Sequence, residues 1–296
     1  VTNSPDEPVG ADSPVFGRPS AAAAEATVLP PGGNAALAAY RAEGGDAGWC
    51  AVRMASVAGV RHRLAGEPGQ DSFAWRLSGQ TVALVVADGL GSVPESGGAA
   101  ARAAAAAAEA AAVSKDGDPG ADGVGAAGGR PASGGVVLTT RSQVETALAA
   151  AEVAAGGGGA TTLLVAVLEA DGRGWLARVG DSAAFLVREG GASWCEVFPP
   201  PDDERDVAAT AALPIRPEAE WGSVELGPSD VLVLATDGVA DPWRDGPTTV
   251  APSLAAAFAA HPAPLELARL AGFSRQGCHD DRTIVLLWRL PDAAGR

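Results

Sequence analysis

The chain has 296 residues, 47% of them hydrophobic, enough for one substantial core, and its formal charge of −15 would repel nucleic acid or an anionic membrane at long range. Aromatic residues are only 5% against 39 glycines and 22 prolines, so the core has to be built of Val, Leu and Ala, with long irregular segments outside it. Three cysteines, Cys50, Cys195 and Cys278, show neither CxxC spacing nor the density of a disulfide scaffold; with no signal-peptide pattern and no apolar run of membrane-spanning length, the expected setting is cytoplasmic, without membrane insertion.

Residues 1–45, rich in Pro, Gly and small side chains and without a sustained period, read as a disordered or loosely attached leader, and 46–291 as the folded domain. From Trp49 the texture changes: "WCAVRMASV" puts Cys50, Val52 and Met54 on one face of a strand and Arg53 on the other. A turn-rich connection through Gly59, Gly66, Pro68 and Gly69 follows. "SFAWRL" and "TVALVVA" then flank Ser78-Gly79-Gln80 as a hairpin, which places Asp71 at the start of one strand and Asp88 at the end of its neighbour. After Asp88 the pattern turns helical: Ser92 and Glu95 have capping-box spacing, Pro94 stands where a missing amide hydrogen is tolerated, and the alanines from Ala99 to Ala112 favour a helix.

A Gly- and Asp-rich stretch at about 114–135 breaks all periodicity and reads as a flexible loop. A second helix is expected over Arg141–Ala155, with Thr140 and Gln143 at capping-box spacing and Gly156 ending it. "TTLLVAVLEA", "GWLARVGDSAAFLV" and "SWCEVF" look like a meander of antiparallel strands. A loop from Pro199 to Asp206 leads to a short helical stretch, "VAATAAL", stopped by Pro214. "WGSVEL" and "DVLVLATDG" give two more strands, "SLAAAFAA" and "LELARLAG" two short helices, and "RTIVLLWRL" a closing strand. The count of about nine strands, arriving in consecutive runs, favours antiparallel sheets packed on each other with helices outside.

Several carboxylates share one habit, standing at the edge of an apolar strand beside Gly or a small polar residue: Asp71, Asp88, Asp181, Asp237 and Asp280. A single Asp-Gly after a strand is a common turn, but each carboxylate at a dry sheet edge needs a partner to offset its desolvation. With 21 Lys and Arg against 36 Asp and Glu, divalent cations are the better compensator, and oxygen-only ligands suit Mg²⁺ or Mn²⁺. The three histidines, His62, His261 and His279, offer no zinc spacing. The sequence has no GxxxxGK[ST] loop, no GxGxxG fingerprint and no GxSxG elbow, and "DGDPGADGVG" lacks the glutamate of a calcium loop.

From about Trp49 to Leu290 the ordered blocks "GQDSF", "DG" at Asp88-Gly89, "GATT" at Gly159–Thr162, "GDS" at Gly180–Ser182, "DGxxD" at Asp237–Asp241 and "DDxT" at Asp280–Thr283 resemble the metal-dependent Ser/Thr protein phosphatases of type 2C, the PPM family, in its bacterial form. The resemblance implies an α+β fold, a four-layer αββα sandwich of two antiparallel sheets flanked by helices. It also implies two Mn²⁺ or Mg²⁺ ions held by Asp88, Asp237 and Asp280, with the Gly89 carbonyl as a further contact and Asp71 in support. Asp181 and Asp241 would match a third, weaker ion. The implied reaction is hydrolysis of phosphoserine and phosphothreonine in proteins, targets of a Ser/Thr kinase, by water activated on the metals.

The departures are specific. Gln70 replaces a Glu, Leu90 stands where some members carry a histidine that protonates the leaving group, Ala183 replaces the Arg of "GDSR", and the segment after Trp194 lacks the usual Asp-His block. In the rewritten "GVRHRLAGEPGQD", Arg61 and Arg63 are the candidates for gripping phosphate, with Arg63 carried as a catalytic residue beside His62. Two proton sources remain for the leaving oxygen, water on the metals, ranked first, and His62. Two other readings stay open: a non-catalytic module of the same fold that binds phosphoproteins, and a hydrolase of small phosphate esters.

Overall fold

The computed structural model describes residues 40–112, 139–198, 211–245 and 250–290. Among them, a six-stranded antiparallel sheet has the order β1 (Tyr40–Ala47), β2 (Cys50–Val57), β11 (Arg282–Arg289), β10 (Val231–Ala235), β7 (Ala183–Arg188), β8 (Ser193–Glu196). A five-stranded antiparallel sheet has the order β3 (Ser72–Ser78), β4 (Thr81–Ala87), β5 (Leu163–Glu169), β6 (Arg173–Val179), β9 (Glu220–Glu225). The helices are α1 (Val60–Ala65), α2 (Ser96–Ala112), α3 (Thr140–Ala155), α4 (Asp237–Asp245), α5 (Val250–Ala259) and α6 (Pro264–Ala271).

The strands read as unbroken apolar runs because both faces of each sheet are covered. Successive side chains point to opposite faces, so Val82, Leu84 and Val86 of β4 meet Leu232 and Leu234 of β10 and Val285 and Leu287 of β11 between the sheets. The alternate residues Ala83, Val85 and Ala87 face outward onto α2 and α3. On the other side Ile284, Leu286 and Trp288 of β11 pack against α4, α5 and α6. This is the four-layer αββα arrangement expected from the sequence. Alanines at positions 100, 103, 104, 107, 108 and 111 form one small-residue stripe of α2, which lets α3 and the sheet approach closely.

Several elements differ from the sequence reading, each for a visible reason. The first strand begins at Tyr40, ahead of the boundary placed at 45, and pairs along its length from Tyr40↔Val57 to Ala47↔Cys50. Its sequence, YRAEGGDA, is an exposed sheet edge with no apolar alternation to betray it. α1 occupies part of the connection read as turns. Ser92 and Glu95 do not form a capping box: Glu95 has φ of 64°, α2 starts one residue later, and Ser96 Oγ donates to the Val93 carbonyl. The N-cap of α3 is Thr139, one residue before the expected position, its hydroxyl accepting from the Ser142 amide at 3.4 Å.

The segment "GWLARVGDSAAFLV" is two strands, β6 and β7, in different sheets. The chain crosses between sheets at Gly180-Asp181-Ser182, where Gly180 has φ of 105° and a Cβ would meet the Thr162 side chain at 2.7 Å. With β1 and this split, the nine expected strands become eleven. "DVLVLATDG" ends as a strand at Ala235, and Asp237 opens α4. The loop at about 114–135 and most of the leader lie outside the described residues, as does the start of "VAATAAL", whose last residue, Leu213, bridges to Thr161.

Candidate active site

The hairpin register Ser72↔Ala87 leaves Asp71 and Asp88 side by side where the five-stranded sheet ends. Backbone contacts fix Asp88: its amide donates to Thr162 Oγ1 at 3.1 Å, and its carbonyl accepts from the Thr162 amide at 2.8 Å and the Thr161 hydroxyl at 2.9 Å. Across the sandwich, β10 runs out through Thr236 into Asp237, and β11 is entered through Asp280 and Asp281. Thr236 ties the two sheets together, donating its hydroxyl to Asp71 Oδ2 at 2.7 Å and accepting the Thr283 amide at 2.9 Å. Behind α4, Trp243 stacks on Phe185 at 4.7 Å between ring centroids, which anchors the helix that carries Asp237. Gly238 is obligatory here, because a Cβ would collide with the Asp281 carbonyl.

Six carboxylates, Asp71, Asp88, Asp181, Asp237, Asp280 and Asp281, therefore crowd one sandwich edge. Burial, then Asp281, raise the Asp71 carboxyl well above its ordinary range. Asp88 is raised by burial and by Asp71, Asp237 and Asp280, while Asp237 is pushed up to about 7 by burial, Asp280 and Asp181. The buried oxygens Asp71 Oδ1, Asp181 Oδ1 and Gln70 Oε1 have no hydrogen-bond partner. A cavity of about 490 Å³ opens at the centre, lined by Asp88, Asp237, Asp280, Asp181, His62 and Arg61 among others. Among the described residues no group of three His, Cys, Asp or Glu side chains is already closed into a ligand set. Even so, crowded carboxylates with orphaned buried oxygens fit hard divalent cations, which would offset the desolvation of these groups.

Of the residues singled out in the sequence, Asp71, Asp88, Gly89, Asp181, Asp237, Asp280 and His62 come together at this edge. His62 places Nδ1 at 2.8 Å from Asp281 Oδ1. Arg63 is not part of the cavity lining; its Nη1 donates to the Tyr40 hydroxyl at 3.2 Å, whereas Arg61 lines both the cavity and a shallower depression of about 300 Å³ beside Asp241.

Asp241 is largely exposed and paired with Arg244 Nη1 at 3.0 Å. The same guanidinium holds Glu196 through Nη2 at 2.6 Å and Nε at 3.2 Å. Fully buried Arg178 donates to Glu220 at 2.7 Å, and both arginines pull the raised Asp181 carboxyl back down. A guanidinium therefore already stands beside the two carboxylates expected to hold a third ion.

Sequence reading missed three parts of this edge. Asp281, given no role of its own within the DDxT block, is a buried acceptor for the Gly59 and Gln70 amides, both at 2.5 Å. Thr236 and the Arg178–Glu196–Arg244 network were not singled out either; their one signal was polar residues next to otherwise apolar runs.

A protein phosphatase 2C family profile matches residues 58–270 of the chain. A search of curated protein sequences finds no significant match. Among solved structures, the Mycobacterium tuberculosis serine/threonine phosphatase PstP/Ppp is similar at 20% identity and a TM-score of 0.51, covering 82% of this chain and 100% of that one. The S. agalactiae serine/threonine phosphatase is similar at 14% identity and 0.51, covering 81% and 100%. A bacterial serine phosphatase is similar at 14% identity and 0.52, covering 80% and 96%. At these identities the structures speak for the fold, which is the same two-sheet sandwich. Because the profile spans most of the folded region and takes in the strand-end aspartates from Asp71 to Asp237, the chain belongs to the protein phosphatase 2C family.

Proposed function

We propose that the chain hydrolyses phosphoserine and phosphothreonine in proteins with two Mn²⁺ or Mg²⁺ ions, acting in the cytoplasm on targets of a Ser/Thr kinase. The observation that carries this reading is the convergence of Asp88, Asp237 and Asp280 on one cavity, with Asp71 buried beside them and one of its oxygens left unpartnered. Asp88, Asp237 and Asp280 would hold the ions, with Asp71 and the Gly89 carbonyl in support. When bound, such ions supply a Lewis acid to the phosphoryl oxygens and make a water nucleophilic at neutral pH.

The chain's own part is placement. Thr161 and Thr162 fix the backbone of Asp88, and Thr236 fixes Asp71, so the acidic groups need not reorganise during reaction. Arg61, on the lining of both cavity and depression, is the guanidinium available to grip a phosphate oxygen. Hydrolysis by water needs no covalent intermediate on the protein. No helix among the described residues is long and apolar enough to cross a membrane. The reading is tested by phosphate release from a phosphothreonine peptide: turnover that requires Mn²⁺ and stops with EDTA is expected. No release at saturating Mn²⁺ would reject it in favour of a non-catalytic phosphoprotein-binding module.

The ion count is a separate expectation. Arg244 already neutralises Asp241 and draws on Asp181, so calorimetric titration with Mn²⁺ should saturate at two ions per chain. Arg244→Gln should admit a third, weak ion. Three ions bound to the unaltered protein would overturn the assignment of Arg244 as the resident cation.

A further inference from the structure

Leu90 leaves the cavity without a histidine at the position following Asp88-Gly89, yet the cavity is not without an imidazole. His62 reaches its lining from α1, a different element. The side chain is mostly covered, 19% exposed, and its Nδ1 meets Asp281 Oδ1 at 2.8 Å. Asp281 is itself immobilised: Oδ1 also accepts the Gly59 amide, and Oδ2 accepts the Gln70 amide. Held in place by these two amides, Asp281 Oδ1 faces Nδ1 and fixes the orientation of the ring. Nε2 is then the nitrogen left for the cavity that also receives Asp88 and Asp237.

We infer that His62, oriented by Asp281, is the general acid that protonates the leaving serine or threonine oxygen. This rests on the phosphatase reading of the same cavity. As water's oxygen bonds to phosphorus, the bond from phosphorus to the side-chain oxygen breaks and its electron pair stays on that oxygen. The Nε2 proton of the charged imidazole transfers to it, giving a neutral hydroxyl and a neutral ring that keeps its Nδ1 proton on Asp281. The attacking water leaves one hydrogen on the product phosphate and releases the other to solvent, from which the ring is recharged. His62 is a catalytic residue in this scheme and Asp281 a positioning residue.

An acid matters in proportion to the basicity of the leaving group. An aliphatic alkoxide needs the proton, whereas p-nitrophenolate departs well without it. The experiment compares kcat for a phosphothreonine peptide and for p-nitrophenyl phosphate, at saturating Mn²⁺, in the unaltered protein, His62→Gln and Asp281→Asn, with Mn²⁺ affinity followed by calorimetry. His62→Gln is expected to lower kcat on the peptide by about 10²-fold, within the usual range for general acid catalysis, and to lower the peptide-to-nitrophenyl ratio at least about tenfold. Asp281→Asn should shift the ratio in the same direction by less, a change that mere loss of packing would not produce.

Equal losses on both esters, no loss, or a loss explained by weaker Mn²⁺ binding would each overturn the acid role while leaving the phosphatase reading in place. An unaltered protein that hydrolyses neither ester would overturn both.

Discussion

Asp88→Asn is expected to abolish Mn²⁺-dependent phosphatase activity, by at least about 10²-fold in kcat, and at the same time to make the metal-free protein more stable. The two effects have one cause. The Asp88 carboxyl stands between Asp71 and Asp237, and burial together with those neighbours holds it well above its ordinary range. In the absence of cations the fold therefore carries a like-charge cluster that it would be better without, and an amide of the same shape relieves it. Folding should not suffer otherwise, because Asp88 is held by backbone contacts to Thr161 and Thr162 that an asparagine keeps. The melting temperature in EDTA near neutral pH should rise by about 3 °C or more, the shift that roughly 1 kcal/mol gives in a domain of this size. A variant that keeps its turnover would refute Asp88 as a ligand. One that loses turnover together with stability in EDTA would make Asp88 a structural residue instead.

A gain of stability on removing an active-site group is the signature of a site assembled against its own electrostatics. Here that assembly is done by parts with no acidic character. Thr236 bridges Asp71 to β11, Gly238 lets α4 start against the Asp281 carbonyl, and Trp243 seats α4 between Phe185 and Phe258. The apolar layers on either side of each sheet supply the stability that this edge gives up.

The strand-end aspartates were legible in the sequence because the sandwich covers both faces of its sheets. Runs such as LVVAD and LVLATD are apolar almost to their end and then stop at a carboxylate, so the site is written as punctuation. Elements that lack this contrast stayed hidden. β1 is an exposed edge of Gly and charged residues, α1 is six residues long, and the passage from β6 to β7 reads as one strand because apolar residues continue through Gly180. Pairings over long separations were equally invisible. Asp281 and the Gly59 amide lie 222 residues apart, and nothing near either one specifies the other. Arg244 follows a strand whose expected span ends at Gly238, and no helix was expected there, so its ion pair with Asp241 had no register from which to be inferred.

In EDTA the protein is expected to lose stability as pH rises from about 4 to about 7, the reverse of the usual behaviour of an acidic protein leaving acid pH. Asp237 has a folded value of about 7 against an ordinary 3.8, and Asp71 and Asp88 are raised in the same direction. A raised folded value means that the native state keeps protons that the unfolded chain has already released. The stabilising contribution is therefore complete below the unfolded value and disappears as pH climbs through the folded one. For Asp237 alone this amounts to a loss on the order of 4 kcal/mol across the window. Exposed pairs such as Glu266 with Arg269 contribute with the opposite sign, but their change falls near pH 4, below most of this interval. Mn²⁺ at a hundred times its dissociation constant should restore about 2.7 kcal/mol near neutral pH and flatten the slope, since bound cations replace the protons. Urea unfolding at closely spaced pH values between 5 and 8, with EDTA and with Mn²⁺, measures both. Asp237→Asn should remove the part of the EDTA slope nearest pH 7. Stability that rises with pH in EDTA, or a slope that Mn²⁺ does not alter, would mean that these carboxylates do not share one cation-binding edge.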